Sequence, residues 1–182
     1  MFLNIVTPCS RPANLHTIAS TITIPKENYR WIVVFDMDEL PDPMYIPENC
    51  ECHLHRDSKS IAGHAQRNFA AKLIDKGHIY QNDDDTALHP ELWDSIKDLG
   101  HADMITFAQL DTMGYVRLIG DVVELKKVDS HNFIVSKELV GDLEWQIERY
   151  DADGLFATDC AKRSTSKVYI PKILSIYNWL RI

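Results

Sequence analysis

Short runs of β-forming residues alternate with helix-spaced segments through the first half of the chain, and each run ends on polar residues. Positions 2–6 are apolar and closed by Thr7-Pro8, as a buried strand would be. Ser10-Arg11-Pro12 then reads as a helix start with Ser10 as N-cap, followed by Leu15, Ile18, Ala19 and Ile22 at helical spacing. Positions 29–35 form a second strand, rich in β-formers, that ends on Asp36-Met37-Asp38. Pro41, Pro43 and Pro47 mark a loop, and 52–55 suits a short third strand. Ile61, Ala65, Phe69 and Leu73 define a helix, with Gly77 as its C-cap. Positions 78–81 form a strand feeding Asn82-Asp83-Asp84-Asp85, and Pro90 opens a helix with Leu92, Trp93, Ile96 and Leu99 on its buried face. Strand alternating with helix implies a mostly parallel sheet covered on both faces.

The second half reads as more antiparallel. Strands are expected at 104–107, within 110–128 (with turns at Met113-Gly114 and Gly120-Asp121), at 132–135, and at 168–170 and 173–177 around Pro171. A helix is expected over 153–162. No linker, repeat or low-complexity segment divides the chain, so 1–182 is expected to be one domain, with 1–100 as the ligand-binding half and 101–182 as the other.

Hydrophobic residues make up 45% of the 182, which suffices for a sizeable core without disulfide staples. The four cysteines do not fall at zinc-finger spacing; Cys50 and Cys52 form only a C-x-C pair, and free thiols in a reducing compartment are expected. A formal net charge of -8 argues against binding nucleic acid through its phosphates. It is compatible with small anionic ligands if a metal ion supplies local positive charge. The amino end lacks a basic segment and no apolar stretch of about 18 residues exists, so a cytoplasmic protein without a membrane span is expected.

In open α/β sheets ligands sit beyond the carboxyl ends of the strands. Thr7 to Arg11, Asp36 to Asp38, and Asp83 to Asp85 all stand at such ends. Three consecutive aspartates repel one another unless something cationic is present. Oxygen ligands suit Mg²⁺ or Mn²⁺, which take one or two protein carboxylates plus phosphate oxygens. A solvated acidic turn is the alternative. Arg11, beside a helix start, could meet an anion; Asp36 could accept hydrogen bonds from a base or ribose; and His64 and Arg67 share a helix face that could border the crevice. Each of these also has a plain surface or capping alternative.

These segments, taken in order, resemble the GT-A-fold glycosyltransferases, particularly the family-two type. The matching pieces are Asn4 to Pro12, Val33 to Asp36, Gly63 to Asn68, and Gly77 to Asp85. The resemblance covers roughly 3–96 well and the rest loosely. It implies a Rossmann-like nucleotide-binding fold: a mostly parallel sheet flanked by helices, with a small antiparallel part. It implies a nucleoside diphosphate sugar donor, with uridine as the expected base, and a carbohydrate or glycoconjugate acceptor. Thr7, Pro8, Arg11 and Asp36 would hold the nucleotide, and Arg67 would lie near the diphosphate or donor sugar. Asp83 and Asp85 would form the D-x-D pair beside Asp84, with Asp85 the first choice as direct ligand to Mn²⁺ or Mg²⁺.

The family's E-D pair, whose Asp is the catalytic base, corresponds here to Ala152-Asp153, so the Glu is missing. Asp153 is the expected base, with Asp151 and Glu148 as further candidates. Transfer would be inverting. Trp145 could stack on a sugar or belong to the core, and His131 could bind acceptor or metal or be an ordinary loop residue. Two other readings stand beside this one. Asp36-Met37-Asp38 also resembles the first motif of haloacid-dehalogenase-type phosphatases, though Glu39-Leu40-Pro41 departs from it. The chain could also be a non-catalytic nucleotide-sugar-binding module of a larger protein.

Overall fold

The computed structural model describes residues 1–181. Its sheet contains β1 (Leu3–Cys9), β2 (Tyr29–Phe35), β3 (Glu51–Leu54), β4 (His78–Gln81), β5 (Met104–Leu110), β6 (Val116–Leu118), β7 (Phe133–Ser136) and β8 (Lys167–Ile176). The helices are α1 (Leu15–Thr21), α2 (His64–Lys72), α3 (Leu92–Ile96), α4 (Lys137–Val140) and α5 (Ala152–Arg163). The strand order is β3-β2-β1-β4-β7-β5-β6, with β8 also paired to β5. β1 pairs parallel with β2 and β4, and β2 with β3. β7 runs antiparallel between β4 and β5. Met104 pairs with both Val135 and Lys167, and Gln109 with both Leu118 and Ser175. β8 therefore follows one edge of β5 while β7 and β6 divide the other. This is the expected mixed sheet, mostly parallel, with its antiparallel part in the second half.

Alternation of side chains divides the core between the two faces of the sheet. Leu3, Ile5, Trp31, Val33 and Phe35 pack with Leu15, Ile18, Leu92 and Ile96 from α1 and α3. Val6, Ile32, Val34 and Ile79 pack with Ala70 of α2, Val140 of α4 and Phe156 and Cys160 of α5. No helix among the described residues is long and apolar enough to cross a membrane.

Several local expectations are corrected. β1 continues through Thr7-Pro8 to Cys9, because β4 pairs only with Leu3 to Val6 and beyond that β2 alone is the partner. A proline there interrupts no second ladder. Ser10 is not a helix N-cap: Arg11 precedes a 3-10 turn at Pro12–Asn14, and the Ser10 hydroxyl goes to Asp84 instead. Gly77 does not cap α2, which ends near Leu73. With φ of +90° and the Phe2 carbonyl where a Cβ would stand, Gly77 serves the tight entry to β4. Between 110 and 128 the one or two antiparallel strands expected are one, β6, whereas the two strands expected around Pro171 merge into a single strand, bulged where Phe107, Ala108 and Gln109 shift register.

Candidate active site

The topology gathers the polar residues at one end of the sheet. β1, β2 and β4 deliver their carboxyl ends there, and so do β5 and β8. β7, running the opposite way, delivers its amino end, the 3-10 turn Ser130–Asn132. The amino ends of α2 and α5 complete the ring. The resulting cavity of about 810 Å³ is lined by Pro8, Arg11, Asp36, Arg67, Asp83, Asp84, Asp85 and Asp153, among others. That volume lies within the range of about 300–1,000 Å³ usual for ligand pockets.

Eight of the nine expected site residues thus meet in one cavity, with Thr7 as the exception. Its side chain is fully buried and its hydroxyl accepts the Trp31 indole N–H at 2.9 Å, so it braces β1 against β2 and does not line the cavity. Pro8 does line it, and its ring fills the space beside Gly63, whose φ of +74° opens α2. A Cβ on Gly63 would collide with that ring.

The three aspartates have three different environments. Asp84 is spent internally: its Oδ2 accepts the backbone N–H groups of Ser10 at 2.6 Å and Arg11 at 2.7 Å, and its Oδ1 accepts Arg11 Nη1 at 2.6 Å. It fixes the loop after β1. Asp83 lies between Arg67 and His131, with Oδ1 accepting Arg67 Nη2 at 2.5 Å, Oδ2 lying 3.1 Å from His131 Nε2, and its backbone N–H donating to that Nε2 at 3.1 Å. Burial works against the Asp83 charge, but Arg67 and His131 outweigh it and hold the carboxyl below its ordinary range. Asp85 has two distant partners, Arg11 Nη1 at 3.4 Å from Oδ2 and the Thr86 hydroxyl, which donates to Oδ1 at 3.4 Å. Burial first, then the Asp83 charge, push the Asp85 carboxyl upward. A buried carboxylate with unused lone pairs suits a hard cation.

No three His, Cys, Asp or Glu side chains among the described residues converge on one point. Asp85, buried and with lone pairs unused, is the carboxylate that fits a Mg²⁺- or Mn²⁺-type ion, which takes its remaining ligands from phosphate and water.

Arg67 is 2% exposed, and its Nε and Nη1 have no partner. Its guanidinium lies 5.0 Å from the Trp145 ring centroid. Each unpaired buried donor costs about 1–3 kcal/mol. Trp145 itself is 4% exposed and stacks on Phe156 and His64, so it belongs to the core.

Asp153 sits in the first turn of α5, with Oδ1 accepting the Gly154 N–H at 2.7 Å. No other side chain among the described residues pairs with it. Burial, and then the Asp129 charge, raise its carboxyl to about 6. Asp151 is committed to Arg149 through two bonds of 2.8 Å, and Glu148 is exposed and off the cavity wall. Asp36 is exposed at the cavity rim, but Asp38 pairs with Arg56 outside it. The phosphatase reading therefore lacks a second acid beside Asp36.

Sequence reasoning missed a buried network behind the aspartates. His131 is 1% exposed, with Nδ1 at 2.8 Å from Asp129 Oδ1. Asp129 Oδ2 accepts Arg117 Nη1 at 2.9 Å, and Arg117 lies 3.9 Å over the Tyr177 ring. Burial opposes the His131 charge, yet Asp83 and Asp129 raise the imidazole to about 10. The polar run Asp129 to Asn132 ahead of an apolar strand was the available signal, but only the reversed direction of β7 puts it at this end.

No family model matches the sequence, and neither does any curated protein. Solved structures do match. The 1–349 form of S. aureus TarS has a TM-score of 0.77 at 16% identity, covering 97% of this chain and 60% of that one. The same protein is known in complex with UDP-GlcNAc and with UDP. The mannosyltransferase PcManGT from Pyrobaculum calidifontis, in complex with GDP-Man and Mn²⁺, gives 0.71 at 13% identity, covering 97% and 56%. A bifunctional IspDF from Campylobacter jejuni gives 0.56 at 16%, covering 94% and 50%, so the shared sheet alone does not name a reaction. The chain spans about 60% of the length of TarS 1–349. The architecture is the GT-A fold that the sequence resemblance implies.

Proposed function

We propose that this protein is a glycosyltransferase that moves a sugar from a nucleoside diphosphate donor, UDP-linked by preference, to the hydroxyl of a carbohydrate or glycoconjugate acceptor. One observation carries the reading. Asp85 with free lone pairs, Arg67 and Asp153 with a raised carboxyl line one cavity at the strand ends. The GDP-Man and Mn²⁺ bound by PcManGT, and the UDP-GlcNAc bound by TarS, support the donor class and the use of a divalent ion.

In this reading Pro8, Arg11 and Asp36 border the nucleotide. Arg67 meets the diphosphate or the donor sugar. Asp85, with Asp83 beside it, holds Mn²⁺ or Mg²⁺, which supplies charge neutralisation at the diphosphate when bound. Asp153 accepts the proton of the acceptor hydroxyl. A carboxyl near 6 is ionised at pH 7 yet more basic than an ordinary carboxylate, as a general base requires. Attack from the face opposite the leaving group inverts the anomeric centre.

The test is a thermal-shift screen of nucleoside diphosphate sugars with and without Mn²⁺. A donor at about 100 times its Kd adds roughly 2.7 kcal/mol of stability. A metal-dependent shift with UDP sugars, absent in Asp85→Ala, is the expected result. A panel with no shift at all overturns the reading. Because the chain spans only part of TarS 1–349, a donor-binding module of a longer protein is the second reading. Donor binding without transfer or slow donor hydrolysis would favour it.

A further inference from the structure

A sugar ring presents C–H groups as well as hydroxyls, and its C–H side packs on the electron-rich face of an aromatic ring. Trp145 is the aromatic residue that the sequence offers for such a contact, and it is buried. Two phenol rings do line the cavity, Tyr150 and Tyr177. One face of Tyr177 is taken by the Arg117 guanidinium, 3.9 Å from the ring centroid. Tyr150 is 82% exposed, more than any other large hydrophobic side chain among the described residues, and no aromatic ring or cation of those residues rests on it. A single exposed apolar side chain is ordinary on a protein surface. Tyr150 differs because its neighbours aim it. Arg149 and Asp151, on either side, pair fork to fork, with Nε and Nη2 donating to the two carboxylate oxygens at 2.8 Å each. Side chains two apart meet where both point one way, which turns the residue between them the other way. The bracket is tied at both ends: the Arg149 N–H donates to the Gln146 carbonyl at 3.2 Å, and the Asp151 carbonyl accepts the Leu155 N–H of α5 at 3.2 Å. Asp151 is the N-cap of α5, and Asp153 lies in its first turn. Tyr150 therefore stands on the cavity wall three residues ahead of the carboxylate that accepts the acceptor proton in the reading above. Apolar surface borders that turn from the other side, where Leu125 Cδ1 lies 3.0 Å from the place of a Cβ on Gly154.

We propose that Tyr150, aimed by the Arg149–Asp151 pair, is an acceptor-binding residue: its ring is the platform on which the C–H face of a sugar stacks while a hydroxyl of that sugar reaches Asp153. The acceptor is then a cyclic carbohydrate, and neither an open-chain polyol nor a peptide hydroxyl satisfies the site equally well. The proposal rests on the glycosyltransferase reading for the role of that sugar, but the stacking of a sugar ring on Tyr150 is measured without any transfer.

The test is an NMR titration of the full chain, with and without UDP and Mn²⁺. The probes are the methyl glycosides of glucose, galactose, mannose and N-acetylglucosamine, with sorbitol as the open-chain control. At least one glycoside should bind, with upfield ring-current shifts of its C–H protons, and sorbitol should bind about tenfold more weakly or not at all. Tyr150→Ala should weaken that glycoside by about tenfold and abolish the upfield shifts, whereas Tyr150→Phe and Tyr150→Trp, which keep an aromatic face, should stay within about threefold of wild type. Arg149→Met should weaken it by about threefold in the wild-type background and by nothing further in Tyr150→Ala, because the pair acts through the ring. No glycoside bound, sorbitol bound as well as the glycosides, unchanged binding in Tyr150→Ala, or a loss in Tyr150→Phe equal to that in Tyr150→Ala would each overturn the proposal. UDP titrated into the same samples separates it from the donor reading. UDP bound with no glycoside leaves the donor reading standing and removes this one; a glycoside stacked on Tyr150 with no UDP bound does the reverse. A fall in UDP affinity as large as the fall for the glycoside would place Tyr150 at the nucleotide and overturn its acceptor role.

Discussion

Asp84 grips Arg11 twice, once at its backbone N–H (2.7 Å) and once at its guanidinium (2.6 Å), and thereby ties the loop after β1 to the turn after β4. The same carboxylate also takes the Ser10 N–H and hydroxyl. The middle aspartate of the triplet is therefore a structural clamp.

Asp84→Ala leaves two backbone donors and a guanidinium without their acceptor, in a site where Asp84 is 3% exposed. The expected cost is about 2–3 kcal/mol. Calorimetric scanning of the ligand-free protein should show a fall in Tm of about 5–10 °C. Asp84→Asn, which keeps one acceptor oxygen, should fall less. An unchanged Tm for Asp84→Ala would refute the clamp.

Asp85 should behave in the opposite way. Its carboxyl is pushed up by burial and by Asp83, so its charge is a burden on the ligand-free fold. Asp85→Asn should leave Tm unchanged or raise it, while removing the Mn²⁺ dependence of UDP binding measured by calorimetry. A destabilised Asp85→Asn that still binds UDP only with Mn²⁺ would move the metal ligand elsewhere.

Asp153 ties activity to pH. Its carboxyl is raised to about 6, above its value in the unfolded chain. As pH rises from about 4 to about 6 the unfolded state loses its proton first, so the native state binds more protons and stability falls across that window. Above it the penalty is constant. Asp153→Asn should therefore be the more stable protein at pH 7.5, by about 1–2 kcal/mol after allowance for partial exposure, and indistinguishable from wild type near pH 4. In wild type, turnover should decline on the acid side with an apparent pKa near 6 as the base protonates. Asp153→Asn should lose turnover by about 10²–10⁴-fold with donor affinity kept. Urea unfolding against pH and donor titration read these effects separately, and full turnover in Asp153→Asn would place the base elsewhere.

The strand-ending polar clusters were readable because period and composition are local. Thr7-to-Arg11, Asp36 and the aspartates each follow an apolar run, and a parallel sheet collects such ends on one side. Which aspartate does what was not readable, because the roles depend on partners elsewhere in the chain, Arg11 for Asp84 and Asp85, and Arg67 and His131 for Asp83. The direction of β7 was equally hidden. Asn132 to Val135 reads as a strand in either direction, and only antiparallel pairing with β4 and β5 brings Asp129 and His131 to the site. The Thr7 side chain points away from the cavity for a different reason. It alternates inward in β1, and an indole N–H buried on β2 needed an acceptor.

Trp145 separates packing from recognition. It lies outside any helix or strand, yet its ring centroid is 4.6 Å from Phe156 and 5.6 Å from His64, and its backbone N–H and carbonyl are both bound by the Asn68 side chain. This pins the loop before α5 onto α2, with the Arg67 guanidinium against the ring. Trp145→Ala opens a cavity among buried aromatic residues and should cost about 3–5 kcal/mol, a large share of the roughly 5–15 kcal/mol available to a domain. Trp145→Phe keeps a stacking face and the backbone bonds to Asn68, and should cost far less. Urea unfolding at pH 7 gives both values. Since the ring also backs Arg67, the Ala variant should weaken UDP more than uridine, whereas a sugar-stacking residue would leave both unchanged and change only the discrimination between donor or acceptor sugars. Near-wild-type stability in Trp145→Ala, with a loss confined to sugar discrimination, would return the indole to the binding surface.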